Sequence, residues 1–190
     1  MSVGPRIRAA ARGDDVQPVI RAAFADEGEL VARLWADVER SEALRASIVA
    51  EQAGQIVGHV GLSHAWLDAR LRLVDVWLLS PLSVVPARQG QGIGTLLLAA
   101  AVEEARSSGT PLLFLEGSPA FYGSRGFERA GEHGFVPASA RTPDAAFQVV
   151  RFASHEDWMT GQVIYRDVWW RHDCAGLRDP LLAQIEEGYR

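Results

Sequence analysis

Apolar and polar positions along this chain fall into runs of strand or helix period, and the order of the runs is informative in itself. Residues 5–10 (Pro-Arg-Ile-Arg-Ala-Ala) read as a short first strand. Gly13-Asp14-Asp15 then offers a turn and a helix cap, and Val16 to Phe24 carries apolar residues at helical spacing. Asp26-Glu27 interrupts that helix, and Leu30, Val31, Leu34 and Trp35 open a second helical face. Ser47 to Glu51 and Gln55 to Trp66 read as strands joined by the tight turn Ala53-Gly54, which predicts a hairpin.

Arg72 to Val85 is a long apolar run that suits a strand covered on both faces. Pro81 lies inside it and cannot donate a ladder bond, so pairing is expected to break near residues 80–82. An edge strand with a bulge would explain this proline. So would a strand pried from its neighbour, its backbone open to an extended ligand. Ile93, Leu96, Leu97, Ala100 and Ala101 line one face of a helix that runs to about Ser107, with Gly109 as C-cap. Leu112 to Leu115 is a short strand. Strand, turn, helix, strand makes a βαβ unit, whose two strands should run parallel. Ser118 and Pro119 begin a short helix as N-cap and first residue, ending near Ser124. Gly126 to Arg129 and Ala146 to Phe152 are further strands, and from His155 onward a segment richer in Trp and charge closes the fold.

The 190 residues suffice for one domain with a substantial core, and 48% apolar with 23% charged residues is a globular balance. A net charge of −5 argues against nucleic acid as a main partner, since phosphate binding needs a basic face. It is mildly compatible with an amine. No apolar run reaches the length of a membrane span, so no membrane partner is expected. Met1 to Arg6 lack the apolar stretch of a secretory leader, and the lone Cys174 permits no internal disulfide and no multi-cysteine metal site. Cytoplasmic residence is the expectation. Of the six tryptophans, Trp35, Trp66 and Trp77 sit in apolar elements and are expected in the core. Trp169-Trp170 would pack the tail, line an acceptor cleft or bury a homodimer contact.

Three glycines in five residues (Gly90, Gly92, Gly94) between an apolar strand and a helix leave main-chain N–H groups unshielded at a helix N-terminus. Unpaired amides and the positive end of the macrodipole then point the same way, which makes an anion site. A P-loop is excluded, because no lysine stands nearby. A Rossmann fingerprint lacks its third glycine, since Thr95 or Leu97 holds that position, although Glu116 lies about twenty residues on. A plain glycine cap of a buried helix needs only one glycine. The pattern Gln-x-x-Gly-x-Gly is matched by Gln89, Gly92 and Gly94 after Leu82-Ser83-Val84-Val85-Pro86.

That pattern resembles the GNAT superfamily of acetyl-CoA-dependent N-acetyltransferases. The resemblance extends to Tyr122-x-x-x-Gly126-Phe127, to Leu115 through Phe127 with Pro143-Asp144-Ala145-Ala146-Phe147, and to Ile56 through Ser63. These segments are similar to a bacterial subgroup of mostly uncharacterised predicted N-acetyltransferases. The similarity covers roughly residues 5 to 152. It implies a GNAT fold: an α/β (α+β) architecture with a mixed, mostly antiparallel sheet, one splayed parallel pair and flanking helices. An acetyltransferase domain over residues 1–152, with an extension at 153–190 packed on it, follows as the expected organisation.

The resemblance also implies a site. The backbone of Leu82, Ser83 and Val84 would bond the pantetheine arm of acetyl-CoA. The amides of Gly90, Gln91, Gly92, Ile93, Gly94 and Thr95 would hold the diphosphate, with Gln89 shaping the turn and Arg88 beside a phosphate. Tyr122 aligns with the tyrosine that protonates the departing thiolate in many members. Where many members carry an asparagine, this chain reads Glu116-Gly117-Ser118-Pro119. Direct transfer is expected: a neutral primary amine of a small molecule or peptide attacks the thioester, and a strand amide holds the oxyanion. Glu116, Asp75, His59, His64 or water would serve as base. No metal-ligand spacing and no nucleophile elbow occur, so no metal is expected. A catalytically silent acyl-CoA-binding or regulatory module is the alternative.

Overall fold

The computed structural model describes residues 4–188. Residues 1–3 and 189–190, which end the two segments expected from the sequence, lie outside the described residues. The chain divides into two compact units, Met1–Ser63 with Leu79–Ser108, and His64–Leu78 with Gly109–Arg190.

The first unit contains β1 (Arg6–Ala9), α1 (Gln17–Ala23), α2 (Gly28–Glu39), β2 (Leu44–Gln52) and most of β3 (Gln55–Ala69). The end of β4 (Leu73–Val84) and all of α3 (Ile93–Ser108) complete it. β1, β2 and β3 form an antiparallel meander, from Arg6 opposite Glu51 to Gln52 opposite Gln55. Ala53 and Gly54 both have positive φ, +51° and +74°, the two-residue turn whose twist matches its strands. Two glycines of β3 let helices approach closely. A Cβ on Gly58 would stand 2.8 Å from Leu97 of α3, and one on Gly61 would stand 2.4 Å from the Trp35 ring of α2. Three residues apart on a strand, they face opposite sides, so the meander is packed on both. Trp35, Ile20, Val38, Leu97 and Ala101 are fully buried there.

The second unit holds the far end of β3, the start of β4, β5 (Leu112–Glu116), α4 (Pro119–Tyr122), β6 (Glu128–Arg129) and β7 (Phe135–Val136). β8 (Phe147–Arg151), β9 (Gly161–Tyr165), α5 (Asp167–Arg171) and α6 (Leu181–Gly188) follow. β4 and β5 run parallel, as the βαβ reading requires, through Trp77 opposite Leu113 and Leu78 opposite Phe114. Registered pairs with β5 stop there while β4 continues to Val84, so the interruption begins just before residues 80–82. β5 pairs β8 antiparallel, and β9 pairs β3 antiparallel from Ala65 opposite Tyr165 to Ala69 opposite Gly161. The sheet is mixed and mostly antiparallel, with helices flanking it. One pairing was not expected: β7 lies parallel to β9 over two residues. Phe114 stacks on Phe147 at 5.4 Å and meets Phe135 edge-on at 5.1 Å, which forms this unit's aromatic core.

Some local expectations change. Ser118 occupies the N-cap of α4, but its side chain makes no capping bond; its carbonyl instead accepts from Phe121 and Tyr122 N–H. The strand expected at Gly126–Arg129 shrinks to two residues, because Gly126 sits in the left-handed region at φ +91° and closes the preceding turn. Trp66 and Trp77 are half-buried rather than core. No helix among the described residues is long and apolar enough to cross a membrane.

Candidate functional site

In the first unit the run Leu82 to Thr95 forms a cradle. Val85 N–H bonds Val57 O at 3.0 Å and fixes the end of β4 on β3. A short turn follows, closed by Arg88 N–H to Val85 O at 2.8 Å and Gln89 N–H to Pro86 O at 3.2 Å. The Gln89 side-chain amide donates back across the turn to Val84 O at 3.0 Å. The first main-chain bond of α3 is Leu96 N–H to Gly92 O at 3.1 Å. The N–H groups of Gly90, Gln91, Gly92, Ile93 and Gly94 therefore have no main-chain acceptor among the described residues. Gly90 and Gly92 have φ of +74° and +83°, and a Cβ on either would meet open space. These glycines are needed for conformation rather than for room. Of these residues Gly90, Gln91 and Gly92 are exposed and Ile93 is buried; amides without a main-chain acceptor ahead of a 16-residue helix make a place where an anion can bind. Leu82 and Val84 are half-buried, Ser83 is buried, and Arg88 is exposed.

The second unit holds Glu116, Tyr122, His64 and Asp75. Glu116 ends β5, and Gly117 is pinned by its N–H to Ala146 O at 2.9 Å and by Gln148 Nε2 on its carbonyl at 3.0 Å. The Tyr122 ring lies over Gly117, where a Cβ would stand 2.4 Å from Tyr122 Cε2. One glycine thus joins the expected base and the expected acid. Phe121 and Phe127 meet the Tyr122 ring edge-on at 4.9 and 5.8 Å. Burial pushes the Tyr122 phenol up to about 12. Burial also raises the Glu116 carboxyl above its ordinary value, opposed by the hydrogen bond from Tyr165 and by the nearby Thr142 hydroxyl and Arg141 charge. The Tyr165 hydroxyl donates to Glu116 Oε1 at 2.5 Å. Sequence reasoning missed Tyr165. The sequence offered only that Val163 and Tyr165 lie two apart in a β-prone run and so share one face of a strand, the face that the fold buries.

An acetyltransferase (GNAT) domain model matches residues 44–129. The N-acetyltransferase YjhQ of Escherichia coli K12 is 34% identical over 122 residues, which span 64% of this chain and 66% of that one. YhbS of the same strain is 28% identical over 156 residues, 80% of this chain and 89% of the relative. The chain belongs to the GNAT acetyltransferase family. Solved GNAT structures share its fold. That of E. coli YhbS in complex with CoA has a TM-score of 0.78 at 26% identity, covering 90% of this chain and 94% of that one. A Brucella melitensis GNAT acetyltransferase in complex with acetyl-CoA has a TM-score of 0.70 at 28% identity, covering 87% and 97%.

Within this GNAT acetyltransferase the remaining candidate bases have other surroundings. His59 is buried in the first unit, with Nε2 3.0 Å from the Ser47 hydroxyl and its ring 5.1 Å from Trp35. Its Nδ1 has no hydrogen-bond partner, and burial pulls the ring down to about 3. His64, in the second unit, contacts Asp75 Oδ1 at 2.7 Å and Arg166 Nη1 at 3.1 Å. The guanidinium can only donate, so Nδ1 accepts and the ring hydrogen sits on Nε2, facing Asp75. Arg166 also covers the Trp66 ring at 4.6 Å, so both histidine nitrogens belong to a packed network. Trp169 is buried and Trp170 is 46% exposed. Among the described residues no group of three or more His, Cys, Asp or Glu could hold a metal ion.

The His59 environment gives a pH prediction. Its folded value is depressed, so below about 6.5 the unfolded chain takes up a proton that the folded chain refuses. Stability therefore falls as pH drops from about 6.5 toward 3, by about 1.4 kcal/mol per pH unit. Urea unfolding at pH 7 and pH 5 should show a loss smaller by about 2 kcal/mol in His59→Gln than in the parent. Equal losses would rule out a neutral buried imidazole.

Proposed function

We propose that this GNAT protein moves the acetyl group of acetyl-CoA directly to a primary amine of a small molecule or peptide, within a ternary complex. The cradle ahead of α3 carries the reading: consecutive amides without a main-chain acceptor among the described residues, two of them set by left-handed glycines, at the positive end of a long helix. The amides of Gly90 to Thr95 would hold the coenzyme diphosphate, with Gln89 keeping the turn and Arg88 supplying countercharge. The main chain of Leu82, Ser83 and Val84 would bond the pantetheine arm. The complexes of YhbS with CoA and of the Brucella enzyme with acetyl-CoA support this choice of anion.

Glu116 is the proposed base. Its carboxyl binds protons more readily than a solvated glutamate, which suits removal of a proton from an ammonium acceptor. Tyr122 is the proposed acid. A phenol held protonated across the physiological range is always in donor form, ready for the departing sulfur. Residues 1–152 would form the acetyltransferase domain and 153–190 its extension, in a protein that works in the cytoplasm.

Purified protein with acetyl-CoA should release free thiol when offered a panel containing spermidine, an aminoglycoside, a lysine peptide and a free N-terminal peptide. At least one amine is expected to exceed the amine-free rate well beyond error. Coenzyme binding seen by calorimetry without thiol release from any amine would instead mark a silent acyl-CoA-binding module. No binding at millimolar CoA would overturn the assignment of the cradle.

A further inference from the structure

We propose that Tyr165, on β9, is a positioning residue for Glu116: its hydroxyl clamps the carboxylate in one orientation and favours the ionised form. This deepens the proposed base role of Glu116 and rests on it for its catalytic meaning, but the clamp can be tested apart from turnover.

Tyr165 is buried, and its main chain is fixed opposite Ala65 in the β9–β3 ladder. Its ring is tilted against Trp169 at 5.7 Å. A phenylalanine would fill nearly the same volume, so packing alone does not call for a hydroxyl that must be desolvated. The hydroxyl is satisfied by Glu116 Oε1 at 2.5 Å, the short length of an O–H bond to a charged acceptor. Burial and the carboxylate charge push the phenol well above its ordinary value, so it stays a donor wherever the protein is folded. An ionised carboxylate can only accept, which makes the pair complementary in that charge state.

The other groups acting on Glu116 are the Thr142 hydroxyl and the Arg141 guanidinium. Arg141 spends two of its donors on Leu177 O at 3.0 Å and Ala175 O at 2.6 Å, and lies 3.6 Å from Asp173. Its charge is therefore shared, whereas the Tyr165 bond is committed to Glu116. The residue lies beyond the matched domain, residues 44–129, and 49 positions along the chain from its partner. The C-terminal segment thus supplies a contact that the core domain lacks.

The test is an infrared pH titration of the carboxylic C=O band, taken as the difference between each protein and the same protein carrying Glu116→Gln. In Tyr165→Phe the midpoint should rise by about one pH unit, because the charged form has lost a donor. With 3-fluorotyrosine at position 165, a stronger donor of nearly the same size, it should fall. Unchanged midpoints in both would overturn the clamp, and the fluorinated protein decides alone if the phenylalanine variant does not fold. Turnover of an amine from the panel separates the two ideas. If Glu116→Gln keeps full kcat while the midpoints shift, the base role fails and the clamp stands. If Glu116→Gln loses kcat and the midpoints do not move, the base role stands and the clamp fails.

Discussion

Tyr122→Phe is expected to lower kcat by about 10²–10⁴-fold, the range typical of a lost general acid. The Kd for acetyl-CoA should change less than about twofold. The asymmetry follows from what the substitution keeps. The ring that packs over Gly117 and meets Phe121 and Phe127 is retained, so the β5–α4 junction holds its shape. Only the hydroxyl goes, and with it the proposed proton donor to the leaving sulfur. The phenol is pushed up to about 12, so its removal should not shift the neutral region of the pH–rate profile. Steady-state rates with calorimetric Kd values on the same preparation check this. An unchanged kcat would show that another group, or water, protonates the thiolate.

Gly92→Val should weaken CoA binding by about 10²-fold. Gly92 has φ +83° with open space at its Cβ, so valine meets no neighbour but cannot comfortably keep the left-handed backbone. Relaxation to negative φ would turn the adjoining amides away from the proposed diphosphate position. Losing two charge-assisted hydrogen bonds at about 1.5 kcal/mol each is about 3 kcal/mol, or roughly two decades in Kd. Gly109→Val is the matched control. Gly109 also sits at positive φ, +80°, with open space, but at the opposite end of α3. It should lose similar stability and keep its affinity. Equal affinity losses in both would mean that backbone strain, not cradle geometry, governs binding.

Much of the cradle was legible in the sequence because its physics is local. Gln89, Gly90, Gly92 and α3 lie within one continuous stretch, and the glycine spacing, the apolar strand before it and the helical period after it each report on neighbours in the chain. The parallel β4–β5 pair was equally readable, since a strand–helix–strand order restricts the hand and direction of the return. In the sequence the glycines of β3 carry only a resemblance. Their physical task, admitting Leu97 on one face and Trp35 on the other, depends on helices contributed from both sides of the strand in sequence. The four candidate bases look alike in the sequence. His59, His64, Asp75 and Glu116 differ by burial and partners, and burial is set by what the rest of the chain places around each one.

The sequence alone determined an anion site, a helix N-terminus stripped of side chains, and through its resemblance to the GNAT superfamily, carried also by Tyr122 and Gly126-Phe127, the class of chemistry. The glycine turn is short-range geometry, which a one-dimensional string records faithfully. Only the tertiary structure decided that His59 stays neutral, that Tyr122 rests on Gly117, and that Tyr165 reaches Glu116 across 49 residues. Proton affinity depends on desolvation and on donors brought from distant segments, and these arise only when the chain has closed around the group.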